Sequence, residues 1–459
     1  MKCSRSRILM PVHKIPEIRF EDQRLTSFGG LVMYQALFRM LNLKGRLRRC
    51  FKHRKDTGAY RHDVVALLLI VHLTLGYRWL RDIAYYRDDP MVLRVLGIKQ
   101  LPDVSTLSRT LRTTDAKSIW NVRGLCRQMV IDRLQQMNLG RITLDFDGSV
   151  VSTQGRMIEG TAVGFNKKKK GMRSYYPLFC TVAQTGQVFD VHHRPGNVHD
   201  SNGAQDFILA CVRAVREQIP GMQIEARMDS AFFSDEIVTV LDAIGVQFTL
   251  SVPFERFSQL KRIIEHRKRW RHLQPDWGFF QNGWKPKSWN RKYRFLFLRH
   301  RCKQIRKEPV QLDLFIPHEY GYAFKVIVTN KKINAKKVLV YHNGRGAQET
   351  VFGELKSQGQ MDYLAVRRLR GNQLYMLSAI LAHNLNRDLQ MVAFHRQRGT
   401  TERRAPLWCF DELQTTRRNL IQRAGRLTEP QGKLTLTMSG NEAVKQQLTD
   451  YLYSLQKAA

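Results

Sequence analysis

The run Arg141-Ile-Thr-Leu-Asp-Phe-Asp-Gly-Ser-Val-Val-Ser152 alternates with period two. Ile142, Leu144 and Phe146 fall on one side; Thr143, Asp145 and Asp147 fall on the other. Such a pattern is a half-buried β-strand and cannot be a helix of period 3.6. It also ends on a carboxylate, Asp147, just before Gly148-Ser149. Everything before it reads differently. His62 to Leu75 is apolar nearly all round and stops at Gly76, as a buried helix would. Tyr77 to Arg87 is a second helical stretch, broken by Asp88-Asp-Pro90. Pro102 with Asp103 or Ser105 starts a third, with Leu107 and Leu111 inward and Ser108, Arg109 and Arg112 outward. That face suits either a DNA major groove or the surface of a helical bundle.

Beyond residue 141 the strands continue. Tyr175–Ala183 and Gln187–His192 flank a turn at Gln184-Thr-Gly186. A helix follows from Ser201 to Glu217, then a strand Gln223–Met228, a helix Ser234–Ile244 and a strand Val246–Val252. Three strands, helix, strand, helix, strand is the order of an α/β RNase-H-like core, a mixed sheet with flanking helices. Between Arg256 and Lys307 there are 17 Lys/Arg but only two acids, Glu265 and Asp276, and four of the seven tryptophans. Pro275, Gly278, Gly283 and Pro286 exclude one long helix there, and Tyr293–Leu298 is strand-like, so a β-rich insertion is expected. The strand Tyr322–Val328 leads back to the core, and helices over Asn334–Glu354 and Asn372–Gln397 close it. The expected organisation is an all-α N-terminal domain (1–135), a core (136–254), a basic Trp-rich insertion (255–320), a second part of the core (321–400) and a C-terminal region (401–459). That last region holds a strand at Lys433–Met438 and a final helix.

Lys and Arg number 76 against 39 Asp and Glu, a net charge of +37. An excess of this size calls for a polyanion, since phosphate contacts release condensed counterions; an anionic membrane surface is the alternative. The longest apolar run, Val64 to Val71, is eight residues, far below the ~20 that span a bilayer. The basic N-terminus shows no apolar signal segment. Seven scattered cysteines without a C-x-x-C pair argue for a reducing, cytoplasmic compartment and against structural zinc.

Asp147 and Asp229 both close strands, and strand ends of open sheets are where ligands bind. In Arg345-Gly-Ala-Gln-Glu349-Thr-Val-Phe352-Gly-Glu-Leu-Lys356, helical spacing puts Arg345, Glu349, Phe352 and Lys356 on one face and Glu354 on another. Two aspartates and this glutamate suit Mg²⁺ or Mn²⁺ rather than zinc. A pair of such ions, roughly 3.5–4 Å apart, serves phosphodiester chemistry. A solvated helix with an Arg–Glu pair is the plainer reading of the same spacing. Lys167, Lys168, Lys169 and Lys170, before Arg173, form either a phosphate-tracking loop or a solvated hairpin.

Several motifs together resemble the DDE transposases of bacterial insertion sequences. They are Leu144-Asp-Phe-Asp-Gly-Ser149, Tyr176-Pro-Leu178, Arg194-Pro-Gly-Asn-Val-His-Asp-Ser201, Arg227-Met-Asp-Ser-Ala-Phe-Phe233, Tyr341-His-Asn-Gly-Arg-Gly-Ala-Gln-Glu349 and Ala382-His-Asn-Leu385. Within that family the chain is most similar to the thirteen-eighty insertion-sequence group, over residues 60 to 435. The resemblance implies cut-and-paste transposition, with Asp147, Asp229 and Glu349 as catalytic, metal-binding triad. Arg345 and Lys356 match an Arg-x3-Glu-x6-Lys signature. The family's Tyr, three residues before the Arg, is replaced by His342, with Tyr341 one step further out. Asp145 is a rival first ligand; Asn197, His199 and Tyr341 are supporting candidates. The resemblance further implies binding of terminal inverted repeats and target DNA, a homodimeric synaptic complex, and action at the bacterial nucleoid. Some relatives cut through a hairpin and hold a flipped base by aromatic stacking. Trp284 and Trp289 are candidates for that, or else pack a small β-subdomain. Rival readings are a tyrosine recombinase using His342, Arg345 and Tyr363 or Tyr375, a stand-alone nuclease, and a non-catalytic DNA-binding protein.

Overall fold

The computed structural model describes residues 15–55, 58–164, 166, 169–198, 202–302 and 321–458. Among the described residues six α-helices precede the first long strand: α1 Leu31–Met40, α2 Leu43–Phe51, α3 His62–Leu75, α4 Pro90–Leu96, α5 Val104–Arg112 and α6 Ala116–Met137. α3 is buried from Val65 to Leu75 and ends at Gly76 in a left-handed conformation (φ 95°), as its sequence requires. Two expectations change. The second helix is only a 3₁₀ stretch, Leu80–Tyr86. Asp88-Asp-Pro90 does not merely end it; Asp89 caps α4, accepting from the N–H groups of Met91 and Val92, with Pro90 in the first turn.

Among the described residues the central sheet has nine strands. In chain order they are β1 Arg141–Gly148, β2 Leu178–Val182, β3 Gln187–His192, β4 Gln223–Met228, β5 Gln247–Val252, β6 Arg271–Gln274, β7 Trp277–Trp284, β8 Tyr293–Arg301 and β9 Tyr322–Thr329. Their spatial order is β6-β7-β8-β9-β5-β4-β1-β2-β3. β1 pairs parallel with β4, and β4 parallel with β5; the other pairings are antiparallel. The β-rich insertion is therefore no detached subdomain. Its strands pair onto β5 through β9 and extend the same sheet, after a short helix, Ser258–Glu265, that the sequence had not suggested.

One face of β1 buries Ile142, Leu144 and Phe146 with residues of α6 and of helices Ala204–Gln218 (α7) and Asp235–Ala243 (α8). The opposite face carries a buried layer of charge. Arg227 of β4, 0% exposed, donates Nε and Nη2 to Asp145 at 2.5 and 2.7 Å. Its Nη1 donates to the carbonyls of Tyr341 and Arg403 at 2.9 and 2.8 Å. Beside it Glu225 is paired with Lys331 and Arg404 at 2.5 and 2.9 Å.

The expected all-α N-terminal domain is not separate in its packing. Its helices share one apolar core with the long helix Leu369–Ala393. A short strand, Leu25–Thr26, pairs with Gly425–Thr428, which pairs in turn with Thr435–Met438. The final helix, Glu442–Ala458, packs on α1 and on Leu369–Ala393. Residues 401–458 thus tie the two ends of the chain together. Among the described residues no single helix is long and apolar enough to cross a membrane.

Removing one partner of a buried ion pair strands the other. Arg227→Met is therefore expected to lose about 3–5 kcal/mol in urea unfolding, with Asp145→Leu in the same chain restoring most of it. An unchanged unfolding midpoint in the single variant would refute the role given to this pair.

Candidate active site

The parallel register sets Asp145 opposite Arg227 and Phe146 opposite Met228. The next residues, Asp147 and Asp229, therefore leave two adjacent strands at the same level, strands about 4.8 Å apart. Asp147 is half-buried. Its Oδ1 accepts from the N–H of Gly148 at 2.8 Å, and its Oδ2 from Arg345 Nη1 at 2.8 Å. Asp229 caps the turn Ser230–Phe232, accepting from the N–H of Ala231 at 2.9 Å.

The expected helix over 334–354 is two helices, Ala335–Asn343 (α9) and Gly346–Ser357 (α10). They meet at Gly344, where a Cβ would stand 2.0 Å from the Arg403 carbonyl and 2.1 Å from Arg227 Nη1. Only glycine fits that elbow. From it α10 runs along the ends of β1 and β2. Arg345 reaches Asp147; Gln348 Nε2 donates to the Asp145 carbonyl at 3.0 Å; Phe352 lies 5.1 Å from the Phe179 ring; Lys356 Nζ donates to the Val150 carbonyl at 2.8 Å. Glu349, exposed, stands one turn beyond Arg345 on this helix. Lys325 of β9 lies near the elbow, donating to Asn343 Oδ1 at 3.0 Å. Burial, then the Arg345 charge, lowers its pKa to about 8. Among the described residues no three His, Cys, Asp or Glu side chains gather closely enough to hold one metal ion. In this arrangement the charge of Asp147 is met by Arg345.

A family model described as transposase DDE domain, group 1, matches residues 12–459. The chain is a DDE transposase. Its reaction is DNA transposition, and the recombinase and non-catalytic readings fall away. Among solved structures it is similar to a piggyBac transposase synaptic complex with hairpin DNA, at 12% identity and TM-score 0.42, over 77% of this chain and 73% of that one. A Mos1 transposase paired-end complex with left transposon end follows at 9% identity and TM-score 0.18, over 42% and 60%. A Mos1 mariner paired-end complex with Mn gives 11% identity and TM-score 0.17, over 43% and 60%. No curated protein matches.

Several candidate residues of the transposase sit otherwise than expected. Asp145 is 1% exposed with both carboxylate oxygens held by Arg227, so it is not available as a first ligand. Tyr341 is buried with its ring under the cations of Arg227 and Lys331, 5.2 and 4.3 Å away, and cannot reach a phosphate from there. Burial raises its pKa far above the ordinary range. His342 is buried against Ser251 and Thr249, and desolvation, aided by Lys325, Arg345 and Arg227, keeps it neutral. The tryptophans are corrected too. Trp284 (9% exposed) packs edge-on against Phe257 and Phe295, and Trp289 (5%) stacks on Phe233 at 4.9 Å; neither offers a face to a base. Lys167, Lys168 and His199 lie outside the described residues. Lys169, Lys170, Asn197, Arg109 and Arg112 are exposed. Glu354, on the other side of α10 as its phase predicts, is buried among Arg387, His383 and the N–H of Leu413.

Burial alone would raise the pKa of Glu354, but His383, Arg387 and the Leu413 N–H hold it at about 2. Its stabilising share is complete above the unfolded value of 4.5 and is lost as pH falls through about 2. Glu354→Gln is expected to unfold at lower urea than the parent at pH 7, with the gap closing between pH 4.5 and 2. A gap independent of pH would contradict this. Tyr375 is 0% exposed and donates to the Arg78 carbonyl at 2.8 Å. Tyr375→Phe should therefore still cut DNA, which a strand-transfer assay reads directly.

Proposed function

We propose that Asp147, Asp229 and Glu349 are the catalytic carboxylates of this transposase. In this reading they would hold two Mg²⁺ or Mn²⁺ ions. The observation that carries the proposal is the register of β1 against β4, which brings two aspartates from residues 147 and 229 to one level. The donor chemistry fits: all three are hard oxygen ligands, and no His or Cys need take part. Asp147 already attracts a cation, the Arg345 guanidinium. When bound, such ions activate a water or a 3′-OH and stabilise the leaving oxygen of a phosphodiester. The chain's own residues position the rest. Gln348 and Lys356 fix α10 to β1 and to the residues just after it through the carbonyls of Asp145 and Val150, so that Glu349 is carried on a rigid support.

On the same reading, β1 to β5 form an RNase-H-like core, with the strand order 3-2-1-4-5 supporting it. Residues 1–135 serve DNA-end binding and dimerisation, and 255–320 form the basic insertion of the thirteen-eighty insertion-sequence group. Residues 136–254 and 321–400 supply the two parts of the core. The substrates are the terminal inverted repeats of an insertion sequence and a target duplex, joined in a homodimeric synaptic complex at the bacterial nucleoid. Lys169, Lys170, Arg345 and Lys356 are proposed phosphate contacts.

The test is cleavage of a linear duplex carrying the element's ends, with Mg²⁺ and with EDTA. Asp147→Asn, Asp229→Asn and Glu349→Gln should each lose cleavage while retaining binding of the ends. Removing several kcal/mol of transition-state stabilisation slows the step by about 10³-fold or more. Cleavage in EDTA, or a wild-type rate in Asp229→Asn, would overturn the assignment.

A further inference from the structure

Helix physics places acidic residues in the first turn of a helix, where unpaired N–H groups carry positive charge. The helix Leu369–Ala393 does the reverse. It has no acid in its first turn, and Arg367, Arg368 and Arg370 crowd its start, all exposed. These arginines adjoin a second basic face. A Cβ on Gly371 would lie 2.6 Å from the Leu111 carbonyl, so the backbones of this helix and of α5 touch, next to Arg370 and Arg112. Arg109 and Arg112 are exposed on α5.

The arrangement is held in place. Asn372 accepts from the Val366 N–H at 3.1 Å and donates to the Val366 carbonyl at 2.8 Å, fixing the turn that carries the arginines. On the other flank the Glu159 N–H donates to the Arg367 carbonyl at 2.9 Å, and the Leu369 N–H donates to the Glu159 carboxylate at 3.1 Å. Glu159 lies in the loop between the first two strands of the small sheet of Val151–Thr153, Ala162–Val163 and Arg173–Tyr175, whose first strand follows the Val150 carbonyl that Lys356 grips. Glu159 also lies 3.9 Å from Arg368, leaving Arg367 and Arg370 with Arg109 and Arg112 as the cationic surface.

We propose that Arg367 and Arg370, joined to Arg109 and Arg112 of α5, form a track for the sugar-phosphate backbone of duplex DNA. Guanidiniums carried by two helices whose backbones touch, and by the turn that enters one of them, with a helix N-terminus adding to the field, suit a chain of phosphates. The contacts carry no base information, so the track grips any sequence. The proposal rests on the transposase reading of the site.

The test compares two full-length variants with the same change in net charge. One is Arg367→Gln/Arg370→Gln. The other is Arg213→Gln/Arg216→Gln on α7, which packs on the opposite face of the sheet. Affinity for a 30-base-pair duplex of arbitrary sequence is measured across a salt series, and Mg²⁺-dependent cleavage of end-bearing DNA is measured for both. Each phosphate contact contributes about 0.9 to the slope of log K against log salt. The first variant should lose about 1.8 of that slope, and the α7 variant should bind like the parent. Equal losses in both variants, or none in the first, would overturn the track while leaving cleavage by the parent, and so the catalytic reading, intact. A parent chain that binds no duplex would overturn both.

Discussion

One guanidinium joins four parts of this chain. Arg227 lies in β4, clamps Asp145 of β1 with two nitrogens, and gives its third to the carbonyls of Tyr341 and Arg403. Tyr341 is near the end of α9 and Arg403 lies in the C-terminal region. The clamp locks β1 against β4 two residues before the catalytic candidate on each strand. It also pins the elbow from which α10 departs. A buried charge pair is costly to desolvate and contributes less to stability than its contacts suggest. What it supplies here is registry, because a guanidinium with five donors fits only one arrangement of these acceptors. Gly344 follows from the same clamp, since the space a side chain would need is taken by Arg227 and the Arg403 carbonyl.

Period and turn chemistry made most of the core legible. Gln187–His192 and Gln223–Met228 were placed to the residue, and β1, α7 and α8 to within a few, because each has one apolar face and a clear stop. What escaped was long-range or local in another way. Asp88-Asp-Pro90 reads as a breaker, but whether such a sequence ends a helix or starts one depends on what packs behind it. Met91, Val92, Val95 and Leu96 are buried, so here it starts one. The insertion's attachment to the main sheet is hidden because the paired residues of β9 and β5 lie between 74 (Val326 and Val252) and 80 (Thr329 and Thr249) positions apart. No local pattern records a partner at that distance.

The site was legible in its elements and illegible in its pairing. Asp145 and Asp147 share a face, and motif and strand-end position favour Asp147 while leaving Asp145 a rival. The structure separates them: two residues along a strand are the distance between a buried layer and a sheet edge. Asp145 meets Arg227, and Asp147 lies where the strand opens. The tryptophans of the insertion were ambiguous for a related reason. Basic residues around an aromatic describe a nucleic-acid platform and an ordinary β-surface equally well. Burial of Trp284 and Trp289 among Phe233, Phe257 and Phe295 makes them core.

The charge excess takes on a different meaning once buried arginines are followed to their acceptors. Arg417 is buried and donates to the carbonyls of Thr74, Leu73 and Gln358, with no carboxylate among these acceptors. Arg194 donates to the Tyr176 and Asn202 carbonyls. Meanwhile acids such as Asp145, Glu225 and Glu354 are spent inside, each matched to buried cations. Each of these acids is matched inside by at least one cation, so interior pairing leaves the surface strongly positive. The resulting self-repulsion opposes the compact state and is screened by salt. A bound polyanion relieves it more effectively than screening does, because it sits against the cations themselves. A duplex that binds only the folded chain adds RT ln(1 + [L]/Kd) to its stability. Substrate binding and folding are therefore coupled by the charge pattern that marks the chain at first reading.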